Sequence, residues 1–171
     1  MLFNINNGIE DTLVISRNEY RYLADVQTDF GNIPDIACMP EQLNQVFLNL
    51  IVNSAQSMAG SVEDGDITGL INIKTWAEDE RVCFEIADNG TGISEEHRSR
   101  IFEPFFTTKE PGKGTGLGLS ISYDIIVTKH QGEITVDCPE TGGTRFMIRI
   151  PLNLHLVEEA QVTRSGDADT Q

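Results

Sequence analysis

The chain has 171 residues, 39% of them hydrophobic, a length and composition typical of one globular domain. Twelve basic and 27 acidic residues give a formal net charge of −15 at pH 7, which argues against nucleic acid or an anionic membrane as the main partner. The three cysteines, Cys38, Cys83 and Cys138, are far apart and form no C-x-x-C pair, so a disulfide framework and a zinc site are disfavoured and a reducing compartment is expected.

The first half of the chain is predicted to form helix, strand and helix. Residues 6–19 can form an irregular helix, and YLADVQTDF (22–30) alternates as a strand does. The clearest helix runs from Glu41 to Met58, and Pro40 opens it at a favourable position. Its apolar residues recur at three-and-four spacing: Leu43, Val46, Phe47, Leu50, Ile51 and Met58. Residues 59–69, rich in Gly, Asp and Ser, are expected to form an exposed loop.

The second half is predicted to consist of two hairpins separated by a helix. LINIKTW (70–76) and RVCFEIAD (81–88) form the first hairpin, joined by AEDE, and Ser94 can cap a short helix over EEHRSRIF (95–102). LGLSISYDIIVTKH (117–130) is apolar nearly all round, which predicts a buried helix. GEITVDC (132–138) and GTRFMIRIP (143–151) are the last strands. This order predicts an α+β fold, a two-layer α/β sandwich whose mixed sheet is covered on one face by helices.

Three polar residues share one side of the helix predicted over 41–58. Asn49, Asn53 and Gln56 lie roughly 110–120° from the centre of the apolar face, at about 100° per residue. Asparagine is unfavourable inside a helix, so the pair at i and i+4 needs an explanation. One explanation is a solvated flank, and the other is a pocket edge where asparagine carbonyl oxygens bind a hard cation such as Mg²⁺.

An acid and a hydroxyl stand at the ends of two predicted apolar rows. Asp88 has the parity of the aliphatic residues in RVCFEIAD, and Thr144 has that of Phe146 and Ile148. Both side chains are therefore expected to face the core. A buried carboxylate needs hydrogen-bond donors, which the exocyclic amine of adenine and a water shared with Thr144 would supply. The alternative is an acid that only caps the DNGTG turn.

A glycine-rich stretch follows an aromatic segment. IFEPFFTTK (101–109) suggests a hydrophobic hinge for a mobile lid, and GKGTGLGLS (112–120) leads into the predicted helix, whose bare amides can bind an anion. Gly114 follows Lys113 where the P-loop needs Ser or Thr, and the spacing fails the dinucleotide pattern G-x-G-x-x-G. Lys109 and Lys113 supply local positive charge. By itself the stretch is equally compatible with a flexible surface loop.

Four blocks in this order resemble the catalytic ATP-binding domain of sensor histidine kinases, within the superfamily shared with gyrase B, Hsp90 and MutL. NLIVNSAQSM resembles the N box, DNGTGI the G1 box, IFEPFFTTK the F box and GKGTGLGLS the G2 box. KHQGEITVDCPETGGTRFMIRIPL resembles the usual ending. The similarity covers residues 41–151 closely and the first 40 loosely. It implies a Bergerat-type ATP-binding fold and a domain over 1–155. The polar composition of residues 156–171 predicts a disordered tail.

The resemblance assigns roles residue by residue. It implies that Asn53 binds Mg²⁺, that Asn49 lies near the phosphates, and that Asp88 binds the adenine amine while Thr144 shares its water. The base pocket would be shaped by Gly90, Gly92 and Ile93. The backbone amides that reach the phosphates would belong to Gly114, Thr115, Gly116, Leu117 and Gly118. The other residues expected to contact ATP are Gln56, Phe105, Thr107, Thr108, Lys109, Lys113 and Leu119.

The chain departs from the family pattern in three places. Gln56 stands at or near the position where many relatives carry a Lys or Arg that contacts phosphate, so a strong charged contact is in doubt there. Ser54 replaces the usual Ala, which is a small change. The lid is short, with few residues between Lys109 and Gly114.

The resemblance implies a protein histidine kinase in two-component signal transduction. ATP-hydrolysing members place a Glu four residues before the magnesium-binding Asn, but this chain has Asn49 there, which cannot act as a general base. Phosphoryl transfer is therefore favoured over hydrolysis. An ATPase of the superfamily and a non-catalytic module that senses adenine nucleotides remain alternatives.

The expected partners follow from the same resemblance. The phosphoacceptor would be a His on a separate dimerisation domain, because His97, His130 and His155 lack the acceptor pattern. A response regulator would act downstream, and the chain by itself is expected to be monomeric. No signal peptide is evident, and the longest apolar stretch, around VFLNLIV, is too short to span a membrane. A cytoplasmic location without direct membrane contact is therefore expected.

Overall fold

The structure is a computed structural model that describes residues 1–60, 62–63, 66–106 and 117–153. The predicted disordered tail and residues 107–116 of the glycine-rich stretch lie outside the described residues. In chain order the elements are β1 (Leu2–Phe3), α1 (Ile5–Ile15), α2 (Arg17–Tyr20), β2 (Ala24–Phe30), β3 (Ile36–Ala37), α3 (Pro40–Gln56), β4 (Val62–Glu63), β5 (Asp66–Ile67), β6 (Gly69–Glu78), β7 (Arg81–Asp88), α4 (Glu95–Arg98), α5 (Gly118–Tyr123), β8 (Glu133–Asp137) and β9 (Thr144–Pro151).

Five strands form one mixed sheet in the order β2-β6-β7-β9-β8. The edge strand β2 runs parallel to β6, and the other pairs are antiparallel. Alternation along β7 and β9 sends every second side chain to the same face, where Phe84, Ile86 and Phe146 are fully buried. The predicted mixed α+β sheet is thus confirmed.

Helices cover the buried face of this sheet. Both α1 and α5 pack against α3, the central helix of the layer. The apolar side of α3 faces the sheet, and the Phe47 ring meets Phe84 of β7 edge-on with ring centroids 5.0 Å apart. Burying a side chain of this kind stabilises the fold by about 1.5–3 kcal/mol. The contact between α3 and β7 is one of those that join the two layers of the predicted sandwich.

The hairpin between β6 and β7 is tighter than predicted. The strands pair as far as Glu78 opposite Arg81, so only Asp79 and Glu80 form the turn, not the four residues AEDE. Both turn residues have positive φ, 50° and 57°, which is the backbone of a type I′ turn. The sequence lacks the glycine that usually marks such a turn, and for this reason the prediction missed it.

Four predicted elements need correction. The first helix is broken at Ser16 into α1 and α2, and α4 ends at Arg98 instead of Phe102. The segment 59–69 contains the short pair β4–β5 instead of being all loop. The helix predicted over 117–130 changes after Tyr123 into a π-helical segment, Asp124–Lys129. Its outer side is also less buried than predicted, because residues such as Ile121 and Tyr123 are 37% and 42% exposed.

Among the described residues no helix combines the length and the hydrophobicity that crossing a bilayer requires.

Candidate functional site

Asp88 ends β7 directly opposite Thr144, the first residue of β9. As the strand alternation predicts, both face the helices: Asp88 is 7% exposed and Thr144 is 3% exposed. Asp88 Oδ1 accepts hydrogen bonds from the backbone N–H groups of Gly90, at 2.9 Å, and Thr144, at 3.3 Å. One oxygen of the carboxylate is therefore held by two backbone donors, one from the turn after β7 and one from β9.

Burial raises the pKa of the Asp88 carboxyl above its ordinary value, because the charged form loses water. Donors from Gly90, Thr144 and the hydroxyls of Ser54 and Ser57 lower it in part. The Ser54 hydroxyl is fully buried and, among the described residues, makes no hydrogen bond of ordinary geometry. It lies near enough to the carboxylate to lower the Asp88 pKa in part even so.

The loop after Asp88 fits closely against the end of α3. A Cβ on Gly90 would lie 2.4 Å from Ser57 Oγ and 2.9 Å from the Ser57 carbonyl oxygen, so no side chain fits there. Gly92 has φ +73°, and a Cβ there would lie 3.1 Å from the carbonyl oxygen of Gly143. Glycine at these two positions lets the loop lie between α3 and the loop before β9.

Cys138 holds Ile93, at the far end of the loop that follows Asp88, by hydrogen bonds. Its Sγ accepts the N–H of Ile93 at 3.3 Å and donates to the carbonyl oxygen of Ile93 at 3.2 Å. The Cys138 thiol thus bonds both backbone groups of Ile93, as the backbone of a neighbouring strand would do in a sheet. Ile93, a predicted base-pocket residue, is thereby fixed to the chain just beyond β8.

The polar side of α3 is partly accessible. Asn53 is half-buried and Gln56 is exposed. The Asn53 side-chain amide has no hydrogen-bond partner within the described part of the chain. Its oxygen is therefore available to a ligand from outside the described residues.

Asn49, one turn earlier on α3, is engaged with α5. Its Nδ2 donates to the carbonyl oxygen of Gly118 at 3.1 Å and to Ser122 Oγ at 3.3 Å. Ser122, fully buried, donates its own hydroxyl to the Gly118 carbonyl oxygen at 2.8 Å. The described part of the G2 box, with Leu117 and Leu119 half-buried beside Gly118, is thus joined to the N box helix.

The aromatic residues of the F box have different environments. Phe102 packs against Tyr123 of α5 and Phe146 of β9, with ring centroids 5.4 and 6.4 Å away. Phe106 contacts His97. Phe105 is 73% exposed and has φ +65°, an unusual backbone for an aromatic residue. Phe102 and Phe106 therefore anchor the segment, while Phe105 faces solvent.

Seven predicted nucleotide contacts lie outside the described residues. They are Thr107, Thr108, Lys109, Lys113, Gly114, Thr115 and Gly116.

Among the described residues there is no group of three or more His, Cys, Asp or Glu side chains that could hold a metal ion. Mg²⁺ commonly takes only one or two protein ligands and completes its shell with water and substrate phosphates. A single amide oxygen, such as that of Asn53, fits this mode of binding.

Several residues that shape the site were not predicted from the sequence. Ser57, Cys138 and Ser122 position the loop and helix around it, and Ser54 was noted only as a small departure. Asn89, inside the G1 box, accepts the N–H of Leu70 and donates to the carbonyl oxygen of Thr68, and so fixes the start of β6. None has a local signal in the sequence, because each acts on a segment distant along the chain or on the backbone.

The chain was compared with known proteins. The family described as histidine kinase-, DNA gyrase B-, and HSP90-like ATPase matches residues 38–154. Sporulation kinase E of Bacillus subtilis (strain 168) is 42% identical over 144 residues, which cover 82% of this chain and 18% of that protein. The chain therefore spans less than a fifth of that relative's length.

Solved structures agree with this match. The catalytic domain of histidine kinase ThkA, in a nucleotide-free form, has a TM-score of 0.75 and 30% sequence identity, covering 89% of this chain and 95% of that one. Histidine kinase ThkA in complex with the response regulator protein TrrA has a TM-score of 0.71 and 27% identity, covering 89% of this chain and 41% of that one.

Proposed function

The chain belongs to the family of histidine kinase-, DNA gyrase B- and HSP90-like ATPases, and from this premise we propose that it is the catalytic domain of a two-component sensor kinase. In this proposal it binds Mg-ATP and donates the γ-phosphoryl group to a histidine on a separate dimerisation domain. The relatives reported above are named as kinases, and their similarity supports the proposal. Phosphoryl transfer needs mainly positioning and charge neutralisation, which a domain of this kind can supply.

Asp88 is proposed to bind adenine. Its Oδ1 is already occupied by the N–H groups of Gly90 and Thr144, which leaves Oδ2 for the exocyclic amine. Gly90, Gly92 and Ile93 would line the base, and the Thr144 hydroxyl would share a water with the carboxylate. Guanine presents a carbonyl oxygen where adenine presents an amine, so the same carboxylate would reject it.

Asn53 is proposed to contact the cation. Its amide has no partner among the described residues and stands one helical turn from Asn49, on the side of α3 that meets the G2 box. Bound Mg²⁺ would neutralise charge on the β- and γ-phosphates. Leu117, Gly118 and Leu119 are proposed to approach the phosphates from α5, together with Gln56, Phe105 and the candidates in 107–116.

The observation that favours transfer over hydrolysis is the Asn49 side chain. Its contacts with the Gly118 carbonyl oxygen and the Ser122 hydroxyl are those of an amide donor, and a neutral amide cannot take a proton from water. The residue that activates water in the hydrolysing members is therefore replaced by one with a different task. An ATPase and a nucleotide-sensing module remain the competing functions.

We also propose the partners and location implied by this function. The phosphoacceptor domain would lie elsewhere in the parent protein, and a response regulator would accept the phosphoryl group from it. The ThkA–TrrA complex shows such a regulator with a related kinase. Because ATP is the substrate, the domain is expected to work in the cytoplasm.

Titration calorimetry with a non-hydrolysable ATP analogue, with and without Mg²⁺, tests the binding step. A second assay supplies labelled ATP and the parent's histidine-containing helical domain. Label on that histidine supports the kinase, and binding without transfer to it supports the sensing module. Steady release of phosphate by the chain alone supports the ATPase. Absence of any binding contradicts all three functions.

A further inference from the structure

The contact between Asn49 and α5 has a function of its own. We propose that Asn49 is a positioning residue, which holds the first turn of α5 at a fixed place along α3 and so sets the position of Leu117 and Gly118, in the described part of the G2 box, relative to Asn53. The inference deepens the proposed function and rests on it for its meaning. It differs from a direct role of Asn49 as a ligand of phosphate or metal.

The orientation of the Asn49 amide follows from its partners. The Gly118 carbonyl oxygen can only accept hydrogen bonds, so the group that faces it at 3.1 Å must be the nitrogen. The second hydrogen of that nitrogen is directed to Ser122 Oγ at 3.3 Å, and the Ser122 hydroxyl turns its own hydrogen to Gly118. Both Asn49 donors are used within the protein, which leaves none for a phosphate oxygen.

The network is partly buried and joins distant segments. Asn49 and Gly118 are 69 residues apart in the chain, and Ser122 is fully buried between the helices. A Cβ on Gly118 would stand 3.7 Å from Asn49 Cγ, which is ordinary van der Waals contact. The first turn of α5 therefore rests directly on the Asn49 side chain.

Asn53 is four residues along the same helix from Asn49. Side chains with this spacing are neighbours, about 5–6 Å apart at Cβ. Fixing Gly118 to Asn49 therefore also fixes its distance to Asn53, through a rigid helix. The protein thereby sets the spacing between the proposed cation ligand and the backbone proposed to meet the phosphates before any nucleotide arrives.

Four variants separate positioning from ligation. Asn49→Ala removes the network, and Ser122→Ala removes one arm of it without changing α3. Asn49→Asp keeps the shape but sets a carboxylate oxygen against the Gly118 carbonyl oxygen. Ser120→Ala is the matched control, because among the described residues the Ser120 hydroxyl bonds only to the Leu117 carbonyl oxygen, within its own helical turn.

Hydrogen exchange of the nucleotide-free chain is the first measurement. We expect the amides of residues 118–123 to exchange about two- to tenfold faster in Asn49→Ala, Asn49→Asp and Ser122→Ala, but not in Ser120→Ala. The proposed function does not enter this result, since no ligand is present. Unchanged exchange in the Asn49 variants overturns the inference. If an Asn49 variant unfolds, Ser122→Ala decides the question alone.

The second measurement compares ligands by calorimetry. We expect Asn49→Ala and Ser122→Ala to lower the affinity for the ATP analogue by about two- to tenfold, equally with and without Mg²⁺. Both variants should bind adenosine with unchanged affinity. Asn49→Asp should be at least as harmful as Asn49→Ala. If Asn49→Asp binds the Mg-nucleotide as well as the natural chain does, or if Ser122→Ala matches Ser120→Ala, Asn49 is a ligand and not a positioning residue.

Discussion

The carboxylate of Asp88 and the backbone N–H of Thr144 face each other across adjacent strands, and Asp88 Oδ1 accepts that N–H at 3.3 Å. The acid is thus oriented by the sheet itself, with one oxygen satisfied before a ligand arrives. We expect Asp88→Asn to weaken ATP binding by about tenfold to several hundredfold, because an amide nitrogen placed toward the adenine amine would oppose one donor to another. Calorimetry with ATP and GTP measures the effect.

Glu85→Gln is the control for Asp88→Asn, since it makes the same chemical change on the opposite face of β7. It should bind ATP normally. Equal affinity of the natural chain for ATP and GTP would contradict the proposal that Asp88 recognises adenine.

Asn53→Ala should reduce the part of the affinity that depends on magnesium. Loss of a cation ligand weakens the Mg-nucleotide but leaves the metal-free nucleotide nearly unaffected. The ratio of the two dissociation constants, measured by calorimetry, is expected to fall by about tenfold. Gln45→Ala changes an exposed residue of the same helix and should keep the ratio. If Asn53→Ala keeps the ratio of the natural chain, Asn53 is not a cation ligand and only forms part of a solvated side of the helix.

The chain alone should turn over ATP negligibly. Asn49 offers no base to activate water, and neither His97 nor His130 is presented as an acceptor: His130 is fully buried, and His97 packs on Phe106. Labelled ATP followed by gel analysis, under conditions that preserve phosphohistidine, should show an unlabelled chain. Phosphate release that disappears in an Asn49 variant would favour the hydrolase, and label on a histidine of this chain would exclude an acceptor supplied in trans.

His130 should make stability depend on pH. Nδ1–H donates to the Ile125 carbonyl oxygen at 2.8 Å, and Nε2 accepts the Met39 N–H at 3.2 Å, so the ring is neutral. Burial lowers the His130 pKa; the bond to Ile125 raises it in part, and Lys129 lowers it. A depressed pKa means that the unfolded chain binds the extra proton more readily. Stability is therefore full above the ordinary value of about 6.5 and falls as pH drops below it.

Urea denaturation between pH 5 and 8 measures this dependence. We expect a loss of up to about 1.4 kcal/mol per pH unit below pH 6.5, absent in His130→Gln. That variant should be less stable at pH 8, where it lacks the two native bonds. His97→Gln controls for the loss of an imidazole. The same pH slope in His130→Gln as in the natural chain would contradict the assignment.

Cys138 should position Ile93 through its two sulfur hydrogen bonds. Cys138→Ser keeps a donor and an acceptor and should preserve nucleotide affinity within about threefold, whereas Cys138→Ala should weaken it further. Alkylation of Cys138 by iodoacetamide should lower the affinity as well, because the added group displaces Ile93. Fluorescence titration with a labelled adenine nucleotide measures all three. Equal affinity of the Ser and Ala variants would mean that the thiol only fills space.

Much of the fold was predictable because it depends on local patterns. Period-two alternation in β7 and β9 placed Asp88 and Thr144 on the inner face, and the three-and-four spacing defined α3. The networks of Asn49 with Ser122 and of Cys138 with Ile93 were not predictable, since they join residues 73 and 45 positions apart. No periodicity encodes a contact between separate segments. The π-helical segment was missed for a related reason, because it has no compositional signal.

The parallel pairing of β2 with β6 has a practical consequence for anyone who trims the chain. The family match begins at residue 38, beyond β2. A fragment cut there would leave the edge of β6 from Gly69 to Thr75 without its partner strand β2, and would uncover the apolar surface of the core against which Ile5 and Ile9 of α1 now pack. A bare strand edge beside exposed hydrophobic residues is a template for intermolecular pairing. The first 37 residues, which lie outside the family match, are therefore expected to protect the domain from aggregation.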